Sequence, residues 1–157
     1  MTELVADGTN AVLKLEEFLP YRLAILSAYV CRGLAQIHER YGLGWGDWVL
    51  LTTLGEVGPM TATAFGVRTG VHKTRVSRAV AVLLKRGLIL RTVNPIDMRQ
   101  ALLRLSPSGK DVYDQMAPLA RAYLKRLEEG LSPDDLAALD RGMTRIGEQT
   151  QRLVSLP

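Results

Sequence analysis

The sequence has little of what secreted and membrane proteins depend on. It contains one cysteine, Cys31, so no disulfide can form within the chain, as is typical of a reducing compartment. No apolar run approaches the roughly 18–20 residues that cross a bilayer. The first residues carry acids where a secretory signal carries bases and an apolar segment. We therefore expect a cytoplasmic protein that has no secretory signal and no membrane partner.

Acidic residues are nearly missing from the middle of the chain. Residues 61–104 contain nine lysines and arginines but a single acid, Asp97, which gives this segment a net charge of +8. The rest of the chain has eleven basic and fifteen acidic residues and a net charge of −4. A basic centre of this kind is typical of a protein that binds a polyanion such as nucleic acid. The alternative is a solvated basic face without a partner.

The residue patterns of enzymes and metal sites are also missing. Cys31, His38 and His72 do not fall in the spacing of zinc ligands. No Ser-His-Asp arrangement, phosphate-cradling glycine loop or pair of carboxylates on one face can be assembled from the sequence. We therefore expect a protein that is not an enzyme and that uses neither a metal nor another cofactor.

What the sequence does contain is a regular order of helical and strand-like segments. At 157 residues and 47% hydrophobic content, the chain has the size and composition of one globular domain. Apolar residues that recur every three or four positions predict helices, and two branched apolar segments around a polar turn predict a β-hairpin. The predicted helices span residues 20–40, 46–57, 61–68, 72–86, 106–129 and 132–154, and the predicted strands span residues 88–93 and 101–105. The expected fold is mainly α with a small hairpin, with residues 1–17 as a loose arm and a bend at Pro118.

The helix predicted at residues 72–86 carries the chemistry of this arrangement. Its apolar positions share one face, and Arg78 and its neighbours lie on the opposite face. A short helix, a turn at Thr69-Gly70, this basic helix and the hairpin form the winged helix-turn-helix plan. In that plan one helix enters the major groove and a hairpin arginine enters the minor groove. The residues expected to contact DNA are Lys73, Thr74, Arg75, Ser77, Arg78, Lys85, Arg91 and Arg99, and Arg86 is expected to bind phosphate.

Five stretches of sequence, in register, resemble the MarR family of transcriptional regulators. They are LGWGDW at residues 43–48, VHKTRVSR at 71–78, LLKRGL at 83–88, NPIDMR at 94–99 and LSPSG at 105–109. The resemblance implies a homodimer formed by the N- and C-terminal helices, which binds a pseudo-palindromic DNA operator and acts as a repressor. It also implies that Asp97 braces Arg99, which enters the minor groove. The corresponding division is an arm and dimerisation helix at 1–40, a DNA-binding lobe at 41–106 and dimerisation helices at 107–157.

Three positions depart from the family's pattern. Phe65-Gly66 stands where Leu-Ala is usual, so the helix before the turn is expected to be looser. His72 replaces the usual Asp at the start of the recognition helix, and histidine is expected to cap that helix poorly. Met98 occupies a hairpin position that is often Arg, which removes one possible phosphate contact.

The resemblance further implies an effector, a small aromatic or phenolic acid or its CoA thioester, that releases the protein from DNA. Aromatic walls with one or two cationic groups suit such a ligand. The residues expected to contact it are Arg22, Tyr29, Arg32, His38, Trp45 and Trp48. The alternative is that Trp48 belongs to the core and that the arginines are solvated.

Two other functions remain open from the sequence. The first is a winged-helix module that binds a protein partner and has lost DNA binding, in which case the recognition face should lose its bases. The second is a redox-sensing regulator that acts through Cys31. No second cysteine is present to resolve an oxidised Cys31, so the alternative is a small core residue.

Overall fold

The computed structural model describes residues 12–95 and 97–154. Within these residues the chain forms six α-helices and three short strands. The helices are α1 Leu19–His38, α2 Trp45–Val57, α3 Ala62–Thr69, α4 Lys73–Lys85, α5 Pro107–Glu128 and α6 Pro133–Val154. The strands are β1 Met60–Thr61, β2 Ile89–Val93 and β3 Ala101–Leu105, and a 3-10 turn at Glu39–Tyr41 follows α1. The predicted fold class, mainly α with a small hairpin, is confirmed.

The predicted N-terminal arm falls mostly outside this description, since residues 1–11 lie outside the described residues. Residues 12–17 contain a turn, and Lys14 and Glu17 form an exposed ion pair there. In the part of the chain that the structure describes, no helix is long and apolar enough to cross a membrane.

The apolar face predicted for α4 is the face that packs into the core. Its four members, Val76, Ala79, Val80 and Leu83, are all buried, and α4 contacts α2 and α3. This agreement follows from the strength of the pattern, because residues three and four apart share one side of a helix.

Strand β1 was not predicted from the sequence. It pairs antiparallel with β3, Met60 opposite Leu103 and Thr61 opposite Leu102, so the sheet order is β1-β3-β2. Two residues are too few to display the alternation that marks a strand. Thr61 also serves as the N-cap of α3, where its hydroxyl accepts a hydrogen bond from the Ala64 amide at 3.0 Å, and threonine is a favoured residue at this position.

One apolar cluster holds α2, α3, α4 and the sheet together. Its fully buried side chains are Leu43, Leu50, Leu51, Phe65, Leu83, Ile89 and Met116. Burying a side chain of this size contributes about 1.5–3 kcal/mol. Helix α3 runs without interruption through Phe65-Gly66, and Phe65 lies within the core.

Two compact units make up the chain, Leu26–Tyr123 as one and Met1–Ile25 with Leu124–Pro157 as the other. Within the first unit, the Tyr123 hydroxyl on α5 donates to the Val30 carbonyl of α1 at 2.8 Å. Within the second unit, Ser132 caps α6. The predicted three-part division of the chain stays a prediction, as does the bend at Pro118, which lies inside α5.

Candidate nucleic-acid interface

Helix α4, the predicted recognition helix, begins with a histidine cap. The Nδ1 atom of His72 accepts a hydrogen bond from the Thr74 amide at 3.4 Å and lies 3.2 Å from the Thr74 hydroxyl oxygen. The amide distance is long for a hydrogen bond, in keeping with the expectation that histidine is a poor cap. The cap therefore places no negative charge at the end of the helix where phosphates bind best.

The polar face of α4 is exposed to solvent. Its six predicted contact residues, Lys73, Thr74, Arg75, Ser77, Arg78 and Lys85, are all exposed. Among the described residues, no acidic side chain forms an ion pair with Arg75 or Arg78. The face therefore presents hydrogen-bond donors and positive charge to solvent, which are the groups that read guanine edges and bind phosphate.

The hairpin tip is a tight turn organised by Asp97. Its backbone carbonyl accepts from the Gln100 amide at 3.0 Å, and its Oδ1 accepts from the Arg99 amide at 3.0 Å. Its Oδ2 accepts from Nε2 of Gln100, also at 3.0 Å. Asp97 thus fixes the backbone of Arg99 and leaves the side chains of Met98 and Arg99 exposed. Ile96, in the same turn, lies outside the described residues.

The base of the hairpin is closed by the start of α5. The Ser106 hydroxyl donates to the Gly87 carbonyl at 2.6 Å, and the Ser106 amide donates to the Leu88 carbonyl at 3.0 Å. The Gly109 amide in turn donates to the Ser106 hydroxyl oxygen at 2.9 Å, so Ser106 caps the start of α5. Only a glycine fits at 109, since a Cβ there would overlap the Leu88 carbonyl oxygen.

Arg86, which the sequence predicts to bind phosphate, bonds the protein's own backbone in the structure. Its Nη1 donates to the Gly42 carbonyl and its Nη2 to the Tyr41 carbonyl, both at 2.6 Å. Two nitrogens of the guanidinium are therefore bonded to the loop before α2. No sequence signal identifies such a partner, because backbone carbonyls are present at every position.

Three of the predicted ligand contacts form one aromatic cluster. The rings of Trp45 and Trp48 are 5.1 Å apart, and the His38 ring stacks on Trp48 at 6.1 Å. His38 is 3% exposed and its Nδ1 lies 2.7 Å from the Leu43 carbonyl oxygen. Because a carbonyl only accepts, this contact places the proton on Nδ1. Trp45 is 48% exposed and offers the cluster's accessible surface.

The remaining predicted ligand contacts lie on α1. The Arg32 guanidinium sits 5.6 Å from the centre of the Tyr29 ring, a cation–π distance, and both residues are exposed. Arg22 is also exposed and belongs to the other compact unit. Cys31 is partly buried on the same helix, with its Sγ 3.9 Å from the Ser27 hydroxyl oxygen.

A cleft that the sequence did not reveal lies between the start of α2 and α4. Its volume is about 550 Å³, within the usual range of small-molecule sites. Trp45, Phe65 and Val71 contribute apolar wall, and Arg75 and Arg78 contribute positive charge. Within residues 12–95 and 97–154, no three His, Cys, Asp or Glu side chains come together in a way that could hold a metal ion.

Comparison with known sequences identifies relatives of the DNA-binding lobe. Residues 41–100 match the sequence profile of the MarR family. An HTH-type transcriptional regulator of Mycobacterium tuberculosis, MT0903.1, is 36% identical over 91 residues. The aligned segment covers 58% of each chain, so the chain spans little more than half the length of this relative.

Solved structures share the fold over most of the chain. Bordetella bronchiseptica BpsR, described with regulation of DNA binding by 6-hydroxynicotinic acid, has a TM-score of 0.78 at 20% identity. It covers 87% of this chain and 98% of its own. A mutant Escherichia coli MarR complexed with operator DNA has a TM-score of 0.76 at 18% identity, covering 86% and 99%.

The sequence and fold comparisons agree with the residues that suggested the resemblance. The matched segment, residues 41–100, contains α2, α3, α4, β2 and the hairpin turn, which together form the winged helix-turn-helix. The proteins matched are named as transcriptional regulators, not as enzymes. The predicted resemblance to MarR-family winged helix-turn-helix transcriptional regulators is therefore confirmed, in sequence over residues 41–100 and in fold over most of the chain.

Proposed function

We propose that this protein binds double-stranded operator DNA as a homodimer, with α4 in the major groove and the hairpin in the minor groove. The observation that carries the proposal is the exposed polar face of α4. Arg75 and Arg78 have no acidic partner among the described residues, so their guanidinium groups are free to pair with guanine edges or phosphates.

The hairpin supports the same function. Asp97 bonds the Arg99 amide and so orients the turn, while the Arg99 guanidinium remains exposed. An arginine held on a narrow turn suits the minor groove, where the electrostatic potential of DNA is most negative. Lys73, Lys85 and Arg91 are exposed on neighbouring elements and suit phosphate contacts.

A homodimer is supported by unpartnered apolar surface on α6. Large apolar side chains recur along this helix without burial, namely Leu139, Met143, Ile146 and Leu153. Contiguous exposed apolar surface commonly marks a protein interface. The family's pseudo-palindromic operators require two copies of α4, one for each half-site.

An aromatic acid is the effector class that the aromatic and cationic groups favour. Trp45 offers an exposed ring face, and the cleft it lines also contains Arg75 and Arg78. An anion bound in this cleft would pair with Arg75 and Arg78, which are the proposed DNA contacts. Effector binding would therefore release the protein from its operator and relieve repression. 6-Hydroxynicotinic acid, described for BpsR, belongs to this chemical class.

The operator is obtained by selecting bound fragments of the source genome at a fixed salt concentration. On that operator, Arg78→Ala should cost about 1–3 kcal/mol and relax sequence preference, because a base contact is lost. Arg99→Ala should weaken binding and leave the oligomeric state unchanged. Fluorescence anisotropy over a salt series measures both effects.

Arg121→Ala is the matched control, since this exposed arginine lies on α5, away from α4 and the hairpin in sequence. It should leave the affinity unchanged. Unaltered operator affinity in both Arg78→Ala and Arg99→Ala would contradict the proposed contacts and would favour the protein-interaction module. The cytoplasmic location and the redox role of Cys31 stay predictions.

A further inference from the structure

The loop between the 3-10 turn and α2 is held by side chains from two helices. Its three successive carbonyls, those of Tyr41, Gly42 and Leu43, each lie within hydrogen-bond distance of a side chain. Arg86 at the end of α4 donates to the first two carbonyls, and His38 at the end of α1 donates to the third. Side-chain hydrogen bonds to residues 41–43 therefore connect the end of α1 to the end of α4, and we call this connection the joint.

The joint depends on the shape of an arginine. Two nitrogens of one rigid guanidinium donate to two adjacent carbonyls, both at 2.6 Å, which the single ammonium of a lysine cannot reproduce with the same geometry. Arg86 is also the C-cap of α4, and its own amide donates to the Val82 carbonyl. The side chain thus connects the last turn of the recognition helix directly to the loop.

The loop is shaped to receive this side chain. Gly42 has φ +63, a left-handed conformation that favours glycine, and a Cβ added there would lie 3.4 Å from Nη1 of Arg86. The guanidinium therefore packs closely over the glycine. His38, which donates to the next carbonyl, that of Leu43, stacks on Trp48. The aromatic cluster and Arg86 therefore bond neighbouring carbonyls of the loop.

We propose that Arg86 is a positioning residue for DNA recognition. The two hydrogen bonds of its guanidinium hold the C-terminal end of α4 against residues 41–43. They thereby set the angle at which α4 enters the major groove. Arg86 itself does not contact DNA. The proposal rests on the DNA-binding function proposed above. It gives a basic residue of the DNA-binding lobe a role that charge alone would not assign.

Salt dependence separates a positioning residue from a phosphate contact. Each lost phosphate contact lowers the slope of log affinity against log salt by about 0.9. Arg86→Ala should weaken operator binding at least tenfold at every salt concentration with an unchanged slope. Arg86→Lys should stay nearly as weak because it keeps the charge but loses the two guanidinium hydrogen bonds.

Lys85→Ala is the matched control, since Lys85 precedes Arg86, is exposed and is proposed to bind phosphate. Its slope should fall by about one unit. A similar fall in the slope for Arg86→Ala, together with near-normal binding by Arg86→Lys, would overturn the proposal and restore a phosphate contact at this position.

Hydrogen exchange without DNA tests the joint independently of function. Amides of residues 41–45 should exchange faster in Arg86→Ala and Arg86→Lys than in the wild type, and Lys85→Ala should not differ. Unchanged exchange in both Arg86 variants would overturn the proposal whatever the DNA result. If the wild type selects no DNA, the proposed function fails, and exchange still decides whether the joint exists. If Arg86→Ala does not fold, the salt slope and the amide exchange of Arg86→Lys and Arg86→Gln are compared with those of the wild type instead.

Discussion

Gly109 shows that the contact between α5 and the hairpin depends on the absence of one side-chain atom. It lies buried in the first turns of α5, against the carbonyl of Leu88 at the start of the hairpin. A Cβ at this position would meet backbone, which cannot rotate away as a side chain can. The approach of α5 to the hairpin therefore requires glycine here.

Gly109→Ala should destabilise the protein by roughly 1–3 kcal/mol or more, because the overlap forces the backbone of α5 away from the hairpin. Thermal unfolding followed by circular dichroism measures the change. Gly147→Ala is the control, since a Cβ there meets nothing within 4 Å and alanine favours a helix. Its Tm should not fall. An equal response of the two variants would show that the Leu88 contact does not constrain residue 109.

At the residue scale, the sequence predicted which side chains carry charge but not what each one bonds. Arg78 and Arg86 are both arginines of the basic segment, and both were expected to meet DNA. In the structure their partners differ, since Arg86 bonds two backbone carbonyls more than forty positions away in the sequence and Arg78 has no acidic partner among the described residues. His38 is similar, since its stacking on Trp48 was not predicted and depends on tertiary packing.

At the scale of elements, the start of α6 is a reciprocal cap formed by Ser132 and Asp135. The Ser132 amide and hydroxyl both donate to Oδ2 of Asp135, at 3.0 and 2.6 Å. The Asp135 amide donates back to the Ser132 hydroxyl oxygen at 3.2 Å. The side-chain and then the backbone hydrogen bond from Ser132 lower the pKa of Asp135, because both favour its charged form.

The direction of this shift fixes the pH dependence of the cap. A lowered pKa means that the cap stabilises α6 fully above the ordinary carboxyl pKa, and that this contribution is lost as pH falls through the pKa of the folded state. Ser132→Ala should raise the pKa of Asp135 towards its ordinary value, as measured by NMR titration. It should also lower the Tm at neutral pH by a few degrees.

Asp134→Asn tests whether the neighbouring acid in the first turn of α6 contributes to the lowered pKa of Asp135. Asp134 lies in the same turn of α6, but the hydrogen bonds of the cap are made by its neighbour Asp135. The substitution should leave the Asp135 titration near that of the wild type. A wild-type titration of Asp135 in Ser132→Ala would show that the capping bonds do not lower its pKa.

Elements with strong periodicity were predictable, and short or paired elements were not. The apolar stripe of α4 placed four residues in the core correctly, because it repeats over nearly the whole helix. Strand β1 has two residues and no pattern, and its existence depends on β3, which lies about forty residues later. The cleft beside Trp45 could not be predicted either, since a concavity is a property of packed helices.

At the scale of the whole molecule, the proposed homodimer makes a testable demand on α6. Met143 is 55% exposed and lies in the middle of the apolar stripe of this helix. Met143→Glu should weaken self-association by at least tenfold in sedimentation experiments, because a charge would be desolvated at the interface. Operator affinity should fall with it, since two half-sites can no longer be bound together.

Arg145→Glu, on the charged side of the same helix, is the control and should leave the dimer intact. Self-association that Met143→Glu does not change would place the interface elsewhere. A wild type that sediments as a monomer at micromolar concentration would contradict the proposed dimer, and the operator would then have to be read one half-site at a time.

The closed base of the hairpin has a consequence for the proposed operator. Ser106 bonds the residue after α4 and the first turn of α5, so the base of the hairpin is held next to the end of α4. In the proposed operator complex, the spacing between the major-groove and minor-groove contacts of a half-site is therefore fixed. One inserted base pair lengthens the duplex by about 3.4 Å, and the hydrogen bonds at the base of the hairpin oppose a shift of the hairpin by that distance. The proposed function therefore implies an operator of fixed length as well as of preferred bases.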